Sequence, residues 1–350
     1  MQVVITGATG NVGTSLVERL DADPAVHEIV GVARRAPESM PAKARFVAAD
    51  VARDDLSSLF RGADAVVHLA WQFHPTHGPV ETWEANAVGS ARVFDAAVRA
   101  DVATLVHASS VGAYSPNPGA RVDERWPTHS LPTAGYGREK AYVERVLDAI
   151  EAAHADLRVV RLRPAYIFQH RAAAEERRIF AGPFVPNWIA RRGLIPVVPV
   201  PEGLRFQAVT AADVAEAYRL AIVRSDARGA FNIAADPVVD ARQLAQILGS
   251  RAVTVPASMA RAALAVLWHL HVVPAEPALL DLVLAVPELD VTRAREVLGW
   301  RPMTSSLDAL STFLDGLREN EGGPTPPLAP DSARGRLDEL RTGVGERNTA

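Results

Sequence analysis

The sequence predicts an α/β chain built on a doubly wound parallel sheet, and three observations predict it. Short, nearly uninterrupted apolar runs alternate with amphipathic stretches through the first half. Strands read this way when helices cover both faces of a parallel sheet. A glycine-punctuated segment, TGATGNVG at 6–13, joins the first such run to the first amphipathic stretch. Finally, 350 residues with 48% hydrophobic and 22% charged side chains have the make-up of a globular chain that buries a sizeable core.

Taken in order, QVVITG is the first strand and VGTSLVERL the first helix. EIVGVA, ARFVAAD, DAVVHLA and TLVHASS follow as strands, with a helix at 81–100 before the last of them. A long helix starts near Tyr136, and LRVVRLRP at 157–164 is a strand stopped by Pro164. Beyond 165, IPVVPVP and GAFNIAAD read as strands. TAADVAEAYRLAIV (210–223), ARQLAQILG and SLDALSTFLDGL read as helices. The apolar stretch 259–274 contains Arg261, His269 and His271 and ends in proline, too short and interrupted to span a bilayer. It predicts a helix on the core or beside an apolar site. From about Glu319 the Pro- and Gly-rich composition predicts a disordered tail over 319–350, with LDELRTG suited to a short helix.

The chain has no cysteine, which excludes disulfides, thiolate catalysis and cysteine-held metal. A net charge of -4 predicts neither nucleic-acid nor anionic-membrane binding. The opening MQVVITGATG has no basic leader or cleavage site, so the expected location is cytoplasmic, without stable membrane insertion. His68, His74 and His77 lack a helical histidine pair with a carboxylate, so they read as loop histidines and no metal is expected. Asp123, Glu124 and His129 fall in a loop that either lines the site or is solvated.

Gly7, Gly10 and Gly13 permit a tight turn, and with Thr9, Asn11 and Val12 they present backbone N–H groups at a helix start. That arrangement suits a pyrophosphate and predicts dinucleotide binding. The second strand ends in Arg34 and Arg35 with no acid to hold a ribose 2′-OH. Arginine there can meet a 2′-phosphate, which favours NADP over NAD; two solvated loop arginines are the plainer alternative. In YGREK, Tyr136 and Lys140 stand at i and i+4 on one helix face, and they include one of only two lysines in the chain. A neighbouring ammonium predicts a tyrosine pKa lowered toward working pH.

These motifs, in this order, resemble the extended short-chain dehydrogenase/reductase family, also called the NAD-dependent epimerase/dehydratase family, over roughly residues 1–318. TGATGNVG resembles its cofactor loop, and AADV at 48–51 resembles its adenine-flanking pair, here Asp50 and Val51. HLAW stands where the backbone at Leu69 and Ala70 passes the cofactor ribose, and NAVGS places Asn86 in the family's Asn-x-x-Gly segment. ASSVGAY is similar to the serine strand end, YGREK to the Tyr-x-x-x-Lys pair, and RLRPAYIF, with Pro164, to the Arg-Pro strand. FNIAA and LGWRP resemble late landmarks.

The resemblance implies that Tyr136 exchanges a proton with the substrate oxygen and that Ser110 hydrogen-bonds the same oxygen, with Ser109 the near alternative. Lys140 would hold the nicotinamide ribose and tune Tyr136. It implies a Rossmann domain of 1–165 plus about 204–224, and a smaller, discontinuous C-terminal substrate lobe of about 166–203 and 225–318. It also implies a homodimer through helices near 82–100 and 136–154. RPAYIFQH lacks the asparagine and Gly-Pro of sugar-nucleotide binders, and AVTAADVA at 208–215 lacks a histidine and an aspartate. The arginines at 171, 177, 178, 191 and 192 suit either phosphate or a solvated helix face. The expected function is an NAD(P)-dependent oxidoreductase acting on a small or moderately apolar carbonyl or alcohol. The alternatives are a sugar-nucleotide epimerase or dehydratase with recycled NAD, and a non-catalytic NAD(P)-binding regulator.

Overall fold

The computed structural model describes residues 1–74 and 76–342. Among these, seven parallel strands form the central sheet: β1 (Gln2–Thr6), β2 (Glu28–Ala33), β3 (Ala44–Ala48), β4 (Ala65–His68), β5 (Thr104–Ala108), β6 (Arg158–Pro164) and β7 (Gly229–Ile233). Their spatial order is β7-β6-β5-β4-β1-β2-β3, the doubly wound Rossmann arrangement with its reversal beside β1. Period-two alternation decides what each face buries. Val3 and Ile5 point to one core with Leu16 and Leu20 of helix α1 (Asn11–Asp21), while Val4 points to the other with Phe94. Phe94 belongs to α2 (Gly89–Arg99), and Val143 and Leu147 of α3 (Gly135–Ala153) join it in that second core. Both faces being dry explains why β1 reads as a continuous apolar run.

Helix α4 (Ala211–Val223) packs on the α1 side of the sheet. The Thr210 hydroxyl caps its N-terminus by accepting from Asp213 N, and the Asp213 carboxylate accepts from Met303 N and Thr304 N. The fully buried Trp300 indole donates to Asp213 O at 2.8 Å. These bonds give the LGWRP segment its physical role: it fastens the late part of the chain to the nucleotide-binding part. Further helices include α5 (Ala257–His269), α6 (Pro277–Ala285), α7 (Ser306–Glu319) and α8 (Ala333–Thr342).

Three expectations need correction. Gly229–Ile233, assigned to the lobe by sequence, is the edge strand of the central sheet and pairs in parallel with β6. Helix α5 buries none of its residues, and Met259, Val266 and Leu267 are exposed; a run of apolar side chains does not say whether a neighbour exists to cover it. The tail expected to be disordered instead packs over residues 320–342, with Leu328 and Glu339 fully buried. The contacts that order it come from residues more than a hundred positions away, which composition cannot show. The part of that expectation covering 343–350 lies outside the described residues. No helix among the described residues is long and apolar enough to cross a membrane.

Candidate active site

The glycine turn is shaped by close backbone approach. Gly7 has φ +76°, and a Cβ there would sit 2.6 Å from Ala70 N and 2.8 Å from Leu69 C. A Cβ at Gly13 would meet Gly7 O at 2.2 Å. Gly10 differs: with φ -82°, its Cβ would meet only Gly7 O at 3.6 Å. The chain therefore leaves a cradle above Gly10 that a side chain would fill. Beside it the buried Asn11 Oδ1 has no partner. An open cradle at a helix N-terminus, with an unpaired polar atom, fits a dinucleotide pyrophosphate. Thr9 and Val12 complete the same turn; Thr9 O accepts from the Thr325 hydroxyl at 2.7 Å.

The other candidate cofactor residues are spread along the strand ends. Arg34 is exposed and donates to Gln72 Oε1 at 3.2 Å, and Arg35 follows it, partly buried. The Asp50 carboxylate accepts from Ala52 N at 3.0 Å, and Val51 lies against Gly89. Leu69 and Ala70 lie against the glycine turn, and Pro164 ends β6 in register with Ile233. Asn86 is buried and fully engaged: Oδ1 accepts from Gln72 N, and Nδ2 donates to Gln72 O and to Glu139 Oε2, each at 2.7 Å. It ties the loop after β4 to α3, one turn of helix from Tyr136.

At the end of β5 the chain turns so that Ser109 and Ser110 diverge. Ser109 donates to Glu144 Oε1 at 2.6 Å, inside a buried network with Arg163. The Ser110 hydroxyl accepts from Gly112 N at 3.0 Å and lies close enough to Tyr136 to oppose the rise in its pKa. Ser110 is thus the serine that meets Tyr136. Gly112 makes this possible, since a Cβ there would lie 3.0 Å from Tyr136 Cε1. No sequence signal distinguished that glycine from an ordinary turn residue.

The electrostatics differ from the expected lowering of the tyrosine pKa. Burial pushes Tyr136 up to about 12; the Ser110 hydrogen bond opposes this and the Glu139 charge adds to it. Lys140 does not point its charge at the phenol. Its ammonium donates to Ala108 O at 2.7 Å and sits 3.3 Å from the centroid of the Trp71 ring, 5.9 Å from that of Tyr136. Burial pulls Lys140 down to about 7, against the Glu139 and Glu144 charges. Tyr136 is therefore a phenol at neutral pH that holds its proton more tightly than a free tyrosine.

Aromatic rings close the site. Phe73 stacks on Tyr136 with centroids 5.2 Å apart and 9° between planes, Trp71 meets Tyr136 edge-on at 5.9 Å, and Phe180 meets Phe73 edge-on at 5.9 Å. Trp71 and Phe73 went unassigned by sequence, although Trp71 stands inside the HLAW segment. The histidines scatter. His68 is a core residue held by Thr6 and Ser90, and burial drives it down to about 3, with the Lys140 charge adding to the effect. His74 Nε2 meets Ile179 O, and His77 stacks between Trp268 and His271. Among the described residues no group of three or more His, Asp or Glu side chains is placed to hold a metal. In the loop before Tyr136, Asp123 pairs with Arg125 at the surface, while Glu124 reaches inward to Asn232 N.

The family model described as "NAD dependent epimerase/dehydratase family" matches residues 3–234. The chain is similar to uncharacterized protein Rv2047c of Mycobacterium tuberculosis, 27% identical over 92% of this chain, but spans only 31% of that relative's length. It is similar to a UDP-glucose 4-epimerase of Mycolicibacterium smegmatis, 28% identical over 91% of this chain and 99% of the relative. A UDP-glucose 4-epimerase structure from Thermotoga maritima, with UDP-glucose, superposes with TM-score 0.69 at 21% identity, covering 91% and 99% of the two chains.

Proposed function

This chain belongs to the NAD dependent epimerase/dehydratase family, an extended short-chain dehydrogenase type, and from that premise we propose that it is an NAD(P)-dependent oxidoreductase reducing a moderately apolar carbonyl at a Ser110–Tyr136–Lys140 site. The observation that carries the reading is the placement of Ser110 beside Tyr136 across Gly112, with Tyr136 held as a phenol by burial. When bound, the nicotinamide supplies or accepts the hydride. Glycine-turn residues Gly10, Asn11 and Val12 would hold its pyrophosphate. Ser110 would orient the substrate oxygen and stabilise charge building there. Tyr136 would give that oxygen its proton and be reprotonated from water. Lys140 would lie along the ribose, between Ala108 O and Trp71. Arg34 at the end of β2 supports an NADP preference.

The substrate class rests on what surrounds Tyr136. Phe73, Trp71 and Phe180 form an aromatic wall, which favours apolar groups. The arginines suited to a diphosphate are spent or outside. Arg177 is bound to the buried Asp331 and Glu339, Arg171 to Glu18, and Arg178 donates to Pro327 O. Arg191 and Arg192 are exposed. Dehydration of a sugar needs a further acid and base, and the turn after Ser110 offers Val111 and Gly112.

A second reading, an epimerase of a sugar nucleotide with recycled NAD, is favoured by the full-length likeness to a UDP-glucose 4-epimerase. A homodimer through α2 and α3 is part of our reading, supported by the exposed Val88 and Tyr142 on that side. The test is turnover of a panel of ketones and UDP-sugars with NADH and NADPH, wild type against Tyr136→Phe. We expect ketone reduction that falls by about 10²–10⁴-fold in the variant while cofactor affinity holds. Full activity in Tyr136→Phe overturns the assignment; UDP-sugar epimerisation by protein that purifies with NAD replaces it with the second reading.

A further inference from the structure

Glu176 is a buried acid that no step above uses. It ends the short helical turn Ala173–Glu176 and is only 8% exposed. Three side chains of this stretch reach α1. Gln169 Nε2 donates to Ser15 Oγ at 3.0 Å, Arg171 pairs with Glu18 at 2.9 Å, and Glu176 Oε1 accepts from Asn11 Nδ2 at 3.3 Å. Asn11 is the first residue of α1 and directly follows Gly10. The stretch thus sets the Glu176 carboxyl at the edge of the cradle above Gly10, where a dinucleotide's pyrophosphate would lie. The next residue, Arg177, is clamped by the buried Asp331 and Glu339, which fixes the backbone that carries Glu176.

Among the described residues no cation forms an ion pair with Glu176. On the elements around it, Arg171 is paired with Glu18 of α1, Arg177 with Asp331 and Glu339, and His170 with Glu319 of α7. Arg178 donates to Pro327 O, and His74 meets Ile179 O. Burial pushes the Glu176 carboxyl well above the usual carboxylate range, and the like charge of Glu175 adds to the effect. A neutral carboxyl carries one O–H donor beside its acceptors. Oε1 is engaged as an acceptor by Asn11, which leaves the proton to Oε2, and Oε2 makes no hydrogen bond among the described residues. A donor left unmatched in a buried place is costly. An anion above Gly10 would match it.

We propose that Glu176 binds the dinucleotide as a neutral acid, its O–H donating to a pyrophosphate oxygen above Gly10 while its carbonyl oxygen holds Asn11. The proposal rests on the cofactor reading above and adds to the glycine turn a side chain from far along the sequence. Charge state decides whether the residue helps. The neutral acid gives the phosphates a donor, whereas a carboxylate in the same place would repel them.

The test measures Kd for NADH and NADPH by fluorescence titration in wild type, Glu176→Leu and Glu176→Gln. Leucine fills the same buried space without a donor, so the fold should hold while Kd rises about tenfold or more. Glutamine keeps a donor there, and its Kd should stay within about twofold of wild type. Infrared difference spectra of NADH-bound against free protein, wild type beside Glu176→Gln, read the acid directly. A protonated carboxyl band should be present at neutral pH, move to lower frequency when NADH binds, and be missing from the variant. A merely structural Glu176 would leave that band unmoved. Wild-type or tighter affinity in Glu176→Leu, a Glu176→Gln protein as weak as Glu176→Leu, a carboxylate band, or an acid band that NADH does not move overturns the Glu176 contact alone. A wild-type protein that binds neither dinucleotide overturns the cofactor reading and this contact with it.

Discussion

The Lys140 ammonium lies 3.3 Å from the centroid of the Trp71 indole while donating to Ala108 O at 2.7 Å. Cation–π attraction and one carbonyl replace the water that would otherwise solvate it. They compensate incompletely, and burial leaves its pKa at about 7. The ammonium is thus present below neutrality and lost as pH rises through that value.

Cofactor affinity should follow that loss. Dinucleotide binding to the free protein is expected to weaken above pH about 7, measured as Kd across pH 5.5–9. Trp71→Ala admits water to Lys140, and the inflection should move upward by about one unit. An inflection that stays put in Trp71→Ala excludes Lys140 as its source.

Stability should run opposite to function at the same residue. Between pH about 7 and the ordinary lysine pKa the unfolded chain holds a proton that the folded protein sheds, so stability rises with pH across this window. The penalty is fully present below it. Lys140→Met removes the penalty and should stabilise the fold by about 1–3 kcal/mol at pH 6 and by less at pH 9. Turnover should fall at least 100-fold. Thermal melts at the two pH values check the sign.

Gly7 and Gly10 should separate folding from binding. Gly7→Ala forces a Cβ into Ala70 at positive φ and should cost about 3 kcal/mol or more. Gly10→Ala meets no close atom of the protein, so its melting temperature should hold while cofactor Kd rises at least tenfold. A Gly10→Ala protein with wild-type affinity would place the pyrophosphate elsewhere.

Gly112→Ala should act on Tyr136 alone. The new Cβ, 3.0 Å from the ring edge, displaces the phenol by a few tenths of an ångström from Ser110. A kcat reduction of about tenfold or more, with Kd for cofactor unchanged, is expected. Equal losses in kcat and cofactor affinity would mean that the whole turn has moved.

The sheet was legible because most of its strands are short and buried on both faces, the edge strand β3 being the partly exposed one, so each announces itself by composition within a few residues. Gly229–Ile233 read as a strand too, but its place in the central sheet did not, since GAFNI carries nothing that names β6 as its neighbour. Helix α5 and the 320–342 segment show the same limit from both sides: an apolar stretch left uncovered and a polar, Pro-rich one buried by Arg177.

For the site, sequence by itself determined the residue types and their local spacing: a glycine turn at a strand–helix junction, two serines at a strand end, and a tyrosine and lysine on one helix face. Those are local properties, set by backbone sterics and helical period. Tertiary structure alone decided which serine meets Tyr136, where the Lys140 charge points, and that Tyr136 is pushed up rather than drawn down. These depend on groups brought in through space, Trp71 and Glu144 among them. Desolvation and charge act through space, and spacing along the chain carries no record of them.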